Sequence, residues 1–194
     1  MSNETKSAVF LRGKITNLRP LEKSDSKQLA IWINDSDVRI LVSNVFPRTP
    51  HFEEDWVEKL EKDEENIVFG IETKDGQFIG VMGVHRIDWV HRTCTTGAII
   101  GEKDFWGQGF GTDAKMYLLK YIFDDLNLRK VVSNVIAYNK RSLNYSLHCG
   151  YKIEGVKKAQ VFKNGKYVDL IELGLFKKDW LPIWRKYKKT GKVR

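Results

Sequence analysis

The sequence predicts one α+β (mixed α/β) domain: a central twisted mixed sheet of about seven strands, flanked by helices. Three observations point to it. Lys74-Asp75-Gly76 joins two apolar runs as a hairpin turn would. Asn164-Gly165 joins two alternating runs near the C-terminus in the same way. Between these hairpins, Ala98-Ile99-Ile100 leads through Phe105-Trp106-Gly107-Gln108-Gly109-Phe110-Gly111-Thr112-Asp113-Ala114 into a helical pattern. Strands and helices thus interleave in a chain of 194 residues, a length that suits one domain with a real core.

In chain order, residues 10–18 alternate loosely and end at Arg19-Pro20, which reads as a first strand. Ser24-Asp25-Ser26 offers a helix cap before Leu29, Ile31, Trp32 and Ile33. Residues 47–50 form a loop, and Thr49-Pro50 opens a second helix with Phe52, Trp56, Val57 and Leu60 as its apolar stripe. Strands follow over 67–73, 77–87 and about 95–101, then the glycine turn and a helix that ends near Asp125. Residues 131–137 are apolar and β-branched, a buried strand. Asn139-Lys140-Arg141-Ser142 starts a short helix closed by Cys149-Gly150. Residues 151–162 and 167–176 are the arms of the last hairpin.

Composition narrows the function. No apolar run approaches the roughly 18 residues of a membrane span, so no membrane partner is expected. The polar start, Met1-Ser2-Asn3-Glu4-Thr5-Lys6, carries no secretory signal. Cys94 and Cys149 stand alone without metal-ligand spacing, so no metal is expected, and two isolated thiols suit a cytoplasmic, reducing setting. The net charge is +8, but six of the 33 basic residues lie in Arg185–Arg194; without them the balance is +2. The excess therefore reads as a solvated basic tail. Nucleic acid is not the expected partner, and a ribosome- or RNA-docking role for that tail is the alternative.

The glycine turn carries the chemistry. Glycine bares backbone N–H groups and tolerates positive φ, and the first amides of a helix lack internal partners in a region of partial positive charge. Such a turn suits a phosphate or diphosphate. It is not a P-loop, because Thr112-Asp113 follows Gly111 where Lys-Ser/Thr is needed. It is not a dinucleotide fingerprint either, because the spacing is G-x-G-x-G and no βαβ unit surrounds it.

Order and residues together resemble the GNAT superfamily of N-acetyltransferases, in its RimJ/RimL-like branch, which also resembles spermidine-type acetyltransferases. The resemblance rests on Leu18-Arg19-Pro20-Leu21, Ile79-Gly80-Val81-Met82-Gly83, Gly97-Ala98-Ile99-Ile100-Gly101-Glu102, the glycine turn, Asn139-Lys140-Arg141-Ser142 with Gly150-Tyr151-Lys152-Ile153-Glu154-Gly155, and the hairpin from Phe162 to Asp169. It covers about residues 10–182. The domains it implies are a tail at 1–9, the N-acetyltransferase domain at 10–182 and the basic tail at 183–194.

The resemblance implies acetyl-CoA as cosubstrate and a primary amine as acceptor, a protein N-terminal α-amine or a small-molecule amine, in a ternary complex; a homodimer is compatible with it. It implies a sheet splayed at the cofactor site. Gln108, Gly109, Phe110, Gly111 and Thr112 would hold the diphosphate. Ile99, Ile100 and Gly101 would bond the pantetheine arm as a strand does, and Asn139 would touch that arm from the other side. Relatives place a tyrosine seven residues after the asparagine. Here that position is Ser146 and the tyrosine is Tyr145, so these two are the candidate acids, with Ser146 favoured by register. Thr95 stands where relatives often have a glutamate; Glu102, Asp88, His85, Asp169 or Glu172 could replace it. Trp106 stands where relatives often have Arg or Gln, which removes a cation. These departures motivate a second alternative, a silent acyl-CoA sensor. Phe46 and Trp89 are the candidate acceptor contacts, with Trp32 and Trp56 as helix packing.

Without an evident base, amine acidity matters. An α-amine of pKa about 8 is neutral in roughly one molecule in ten at pH 7, a lysine-like amine in roughly one in 2,500. This favours an N-terminus or amino sugar over spermidine.

Overall fold

The computed structural model describes residues 8–193. The expected tail at 1–9 lies outside them except for residues 8 and 9. The first strand is a tight hairpin, β1 (Leu11–Arg12) and β2 (Thr16–Pro20). Its turn closes on the buried Asp113 carboxylate, which accepts the N–H groups of Lys14 (3.0 Å), Ile15 (2.9 Å) and Thr16 (2.8 Å) and the Thr16 hydroxyl (2.7 Å). A Cβ at Gly13 would overlap that carboxylate, so the turn requires glycine.

Helix α1 (Ser26–Asn34) follows a capping box between Glu22 and Asp25. Asp25 also accepts both terminal nitrogens of buried Arg19, at 2.7 and 2.8 Å. A short helix α2 (Ser36–Arg39) precedes α3 (Pro50–Leu60), where the Thr49 hydroxyl accepts the Phe52 N–H and proline takes the first helical position. Strands β3 (Ile67–Thr73), β4 (Phe78–Asp88) and β5 (Thr93–Ile100) form an antiparallel meander. Helix α4 (Phe110–Lys120) continues into a π turn (Tyr121–Asp125), then come β6 (Lys130–Ile136), α5 (Lys140–His148), β7 (Lys152–Lys163), β8 (Lys166–Phe176) and α6 (Lys177–Thr190). Asn164 and Gly165 both have positive φ, as a type I′ hairpin needs.

The sheet has eight strands in the order β1-β2-β3-β4-β5-β6-β8-β7; the two-residue β1 takes it past the expected seven. Every neighbouring pair is antiparallel except β5–β6, which is parallel and joined only from Thr93–Lys130 to Thr95–Val132. Beyond Thr95 the two strands part, which gives the expected splay. Helix α4 packs Met116, Leu118 and Leu119 into the core.

The boundary expected at residue 182 falls inside α6. This helix buries Trp180, Trp184 and Tyr187, stacks Trp184 edge-on against Tyr117 at 5.2 Å, and donates the Tyr187 hydroxyl to Asp113. Arg185, Lys186, Lys188 and Lys189 ride its outer face. The basic segment through Thr190 is thus a helix held by the core, because its aromatic residues recur at i, i+4 and i+7 on one face.

Candidate active site

The parted strands open into a cavity of about 1040 Å³. One end is made largely of main chain. Ile99 and Ile100 of β5 line it, with Gly109, Gly111 and Thr112 at the start of α4. Gly109 caps α4 at φ 92°, a conformation that favours glycine. The first helical bond there runs from the Asp113 N–H to the Gly109 carbonyl (2.9 Å), and the amides of residues 110–112 find no acceptor among the described residues. They face the cavity end as donors for an anion. Asn139 lines the opposite wall and caps α5, its Oδ1 accepting the Ser142 N–H at 3.0 Å.

Three of the expected residues, named for their main-chain groups, keep their side chains or Cα out of the cavity. Gly101 lies beneath Trp32, whose indole a Cβ would overlap. The Gln108 amide donates to the Asp104 carbonyl. Phe110 packs edge-on against Phe105 with ring centres 5.0 Å apart. None of the three lines the cavity. Sequence reasoning missed Arg141, which does. Its guanidinium lies 3.8 Å over the Trp106 ring, and the Trp106 Nε1 donates to the Ile100 carbonyl at 2.7 Å. The indole that displaced one cation thus carries another.

At the centre, Tyr145 lines the cavity and Ser146 does not. Ser146 is 1% exposed and turned into the protein. One residue turns a helical side chain by about 100°, and the lining residues Ser142, Tyr145 and His148 recur every three positions on the cleft side, whereas Ser146, favoured by register, lies off that side. Burial pushes the Tyr145 phenol well above its ordinary value, so it stays protonated.

Of the five replacements for the missing glutamate, His85 alone lines the cavity. Glu102 accepts the Trp32 indole (2.9 Å) and the Gln28 amide (3.0 Å). Asp88 holds His91, Asp169 holds Lys158, and Glu172 holds Lys157, all near 2.8 to 2.9 Å. His85 sits directly across β4–β5 from Thr95. Its Nδ1 meets the Asn66 Oδ1 at 3.3 Å, and the Asn66 amide nitrogen is committed to Asp63. Nδ1 therefore carries the proton and Nε2 keeps its lone pair. Burial lowers the pKa of the ring, helped by the charges of Lys115 and Arg86, so His85 is neutral.

The other end is made of side chains from α1 to α3. Glu53, only 8% exposed, is the one carboxylate among the described lining residues. Burial raises its pKa against the opposing pull of Arg48. Arg48 also lines the cavity, stacked 3.9 Å over Phe52. Trp32 and Trp56, expected only to pack, line it too. Phe46 and Trp89 do not. Phe46 is 67% exposed on a loop whose carbonyl is tied to Asn44 (2.8 Å), and Trp89 is 50% exposed in a separate depression beside Arg86–Val90. No group of three or more metal-binding side chains occurs among the described residues, and no helix of theirs is long and apolar enough to cross a membrane.

A splayed sheet, an amide-lined glycine turn and a capping asparagine across the gap define a protein that binds a CoA thioester. The chain belongs to the acetyltransferase (GNAT) domain family, whose model matches residues 16–152. It is 28% identical over 169 residues to "Putative ribosomal N-acetyltransferase YdaF" of Bacillus subtilis (strain 168), covering 84% of this chain and 92% of that one. It is 28% identical to the spermidine N(1)-acetyltransferase of Escherichia coli (strain K12), covering 84% and 87%. The fold matches the spermidine N-acetyltransferase of Vibrio cholerae, solved with CoA and spermine, at a TM-score of 0.81 and 24% identity over 86% of this chain and 98% of that one. The protein is an acetyl-CoA-dependent N-acetyltransferase that acts on an amine.

Proposed function

We propose that the acceptor is a monoamine with a low-pKa amino group, a protein N-terminus or a small amine, rather than a polyamine. The observation that carries this reading is the charge of the cavity wall. A polycation needs several carboxylates; among the described residues the wall offers Glu53 alone, within the field of Arg48, and also carries the cation Arg141. A neutral histidine is also a weak base, matched to an amine already partly deprotonated at pH 7.

In this reading the amides of residues 109–112 and Arg141 hold the diphosphate, while Ile99, Ile100 and Asn139 hold the pantetheine arm. The amine enters over Glu53 in its neutral form. Its nitrogen attacks the thioester carbon in the ternary complex and, as the C–N bond forms, passes one proton to His85 Nε2. As the C–S bond breaks, the Tyr145 hydroxyl gives its proton to the sulfur, and the proton taken from the amine returns through solvent to the phenolate. The products are the amide and CoA thiol. Nucleic acid is not a partner in this reading, and the two buried free cysteines support a cytoplasmic setting. A homodimer stays part of the proposal only as compatible with it.

A thiol-release assay with acetyl-CoA tests the acceptor. N-terminal peptides and amino sugars should release CoA, and spermidine should release far less. Turnover of spermidine alone would overturn the ranking.

A further inference from the structure

Lys115, on α4, is 1% exposed, and no carboxylate acts on it. An ammonium held in a protein interior without a carboxylate beside it is costly, and a neutral side chain of the same length would avoid that cost. Its surroundings are the back of the active site. The Nζ lies 5.9 Å from the centres of two rings, those of Tyr145 and Tyr151. Tyr145 lines the cavity on the other side. The Tyr151 hydroxyl meets the Thr96 Oγ1 at 2.8 Å, and Thr96 lines the cavity where β5 and β6 part. Cys94 on β5 and Cys149 after α5 are the thiols that act on its charge, and His85 on β4 feels it from the far face of the sheet, together with Arg86 and Asp63. Burial draws the Lys115 pKa down to about 8, so near neutral pH the ammonium form persists.

We propose that Lys115 is a positioning residue for acetyl transfer: sealed behind Tyr145, its ammonium is the fixed positive charge against which negative charge develops on the departing sulfur. The role rests on the reading of Tyr145 as proton donor. When the C–S bond breaks, charge appears first on sulfur and then, after proton transfer, on the Tyr145 oxygen. Both places lie on the face of the splay that Lys115 backs. A preorganised charge in a dry site costs no reorganisation as the charge forms. The ammonium need not lose its proton; it acts as a charge.

The test uses the product, CoA, and so needs no acceptor. The thiolate absorbance of CoA bound to the whole protein is followed against pH in wild type, Lys115→Met and Lys115→Gln. The proposal expects about tenfold more bound thiolate in wild type than in either variant at about pH 7, where Lys115 is still charged, with the difference fading as the pH rises past about 8. Identical titrations would overturn it. Failure of both variants to fold would also overturn it, because the lysine would then be structural; the proposal expects them to melt no lower than wild type. Tyr145→Phe, followed both in this titration and in a thiol-release assay with an amine acceptor, separates the two readings. An unchanged turnover in that variant would remove Tyr145 as donor while leaving the thiol shift to be judged on Lys115 alone.

Discussion

The two ends of the cavity are built from different material. The donor end is main chain: β5 after it leaves β6, the glycine turn, and the amides that open α4. The acceptor end is side chain: Trp32 from α1, Arg48 from the loop before α3, and Glu53 and Trp56 from α3. Backbone fixes what every acetyl-CoA needs, a diphosphate cradle and a strand edge. Side chains fix what differs between amines. The two ends should therefore fail differently when altered, one in cofactor affinity and one in acceptor affinity, with Tyr145 and His85 at the junction controlling rate.

The largest expected effect is at that junction. Tyr145→Phe should lower kcat by about 10²- to 10³-fold and leave the KM for acetyl-CoA near its wild-type value; Ser146→Ala should change kcat less than about threefold, because it does not reach the cavity. A steady-state comparison of the two variants checks this, and the opposite ranking would restore the register reading. His85→Gln should cost about 10- to 100-fold in kcat/KM for the amine. The pH profile carries the sign. The pKa of His85 is lowered, so the base is available through neutral pH and is lost only as the pH falls below the ordinary imidazole value of about 6.5. Below that value the wild-type profile should fall more steeply than protonation of the amine alone would make it, and that extra steepness should vanish in the variant; its survival would mean another base.

The next effect separates the two ends directly. Glu53→Gln should raise the KM for the amine by about tenfold with acetyl-CoA binding unchanged, whereas Arg141→Ala should weaken acetyl-CoA by about fivefold, more at low salt, with the amine KM unchanged. Calorimetry for the cofactor and kinetics for the amine give both numbers, and crossed effects would break the division of labour. The smallest effect on the chemistry itself should come from Asp113→Asn, far from the acceptor. It should cost about 2 to 4 kcal/mol of stability in denaturant melts, because the carboxylate gathers four donors from the β1–β2 segment and one from α6. Near-normal kcat in the fraction that remains folded would mark it as a structural knot.

This division also decided what could be read from the sequence. The hairpins at Gly76 and Asn164-Gly165, the glycine turn and the Asn139 cap are local signals, each written in a few neighbouring residues; the resemblance they support put Ile99, Gly109, Gly111 and Asn139 at the cofactor, and all four line the cavity. The acceptor end has no such signal. Glu53 on α3 and His85 on β4 line one cavity only through the tertiary fold, so Phe46 and Trp89 stood out by loop position and chemistry while lying outside the wall. The Tyr145/Ser146 choice turned on a single helical step. Helix α6 was hidden by Pro182 and a run of cations, although Trp180, Trp184 and Tyr187 carried its period. Arg141 was invisible because its value comes from stacking on Trp106, 35 positions away.

A crystal structure of the protein with CoA tests the central claim most directly. The account predicts the diphosphate within hydrogen-bonding reach of the amides that open α4, the pantetheine arm along Ile99 and Ile100, and the sulfur beside the Tyr145 hydroxyl. A diphosphate seated away from that turn, or a sulfur facing away from Tyr145, would contradict it.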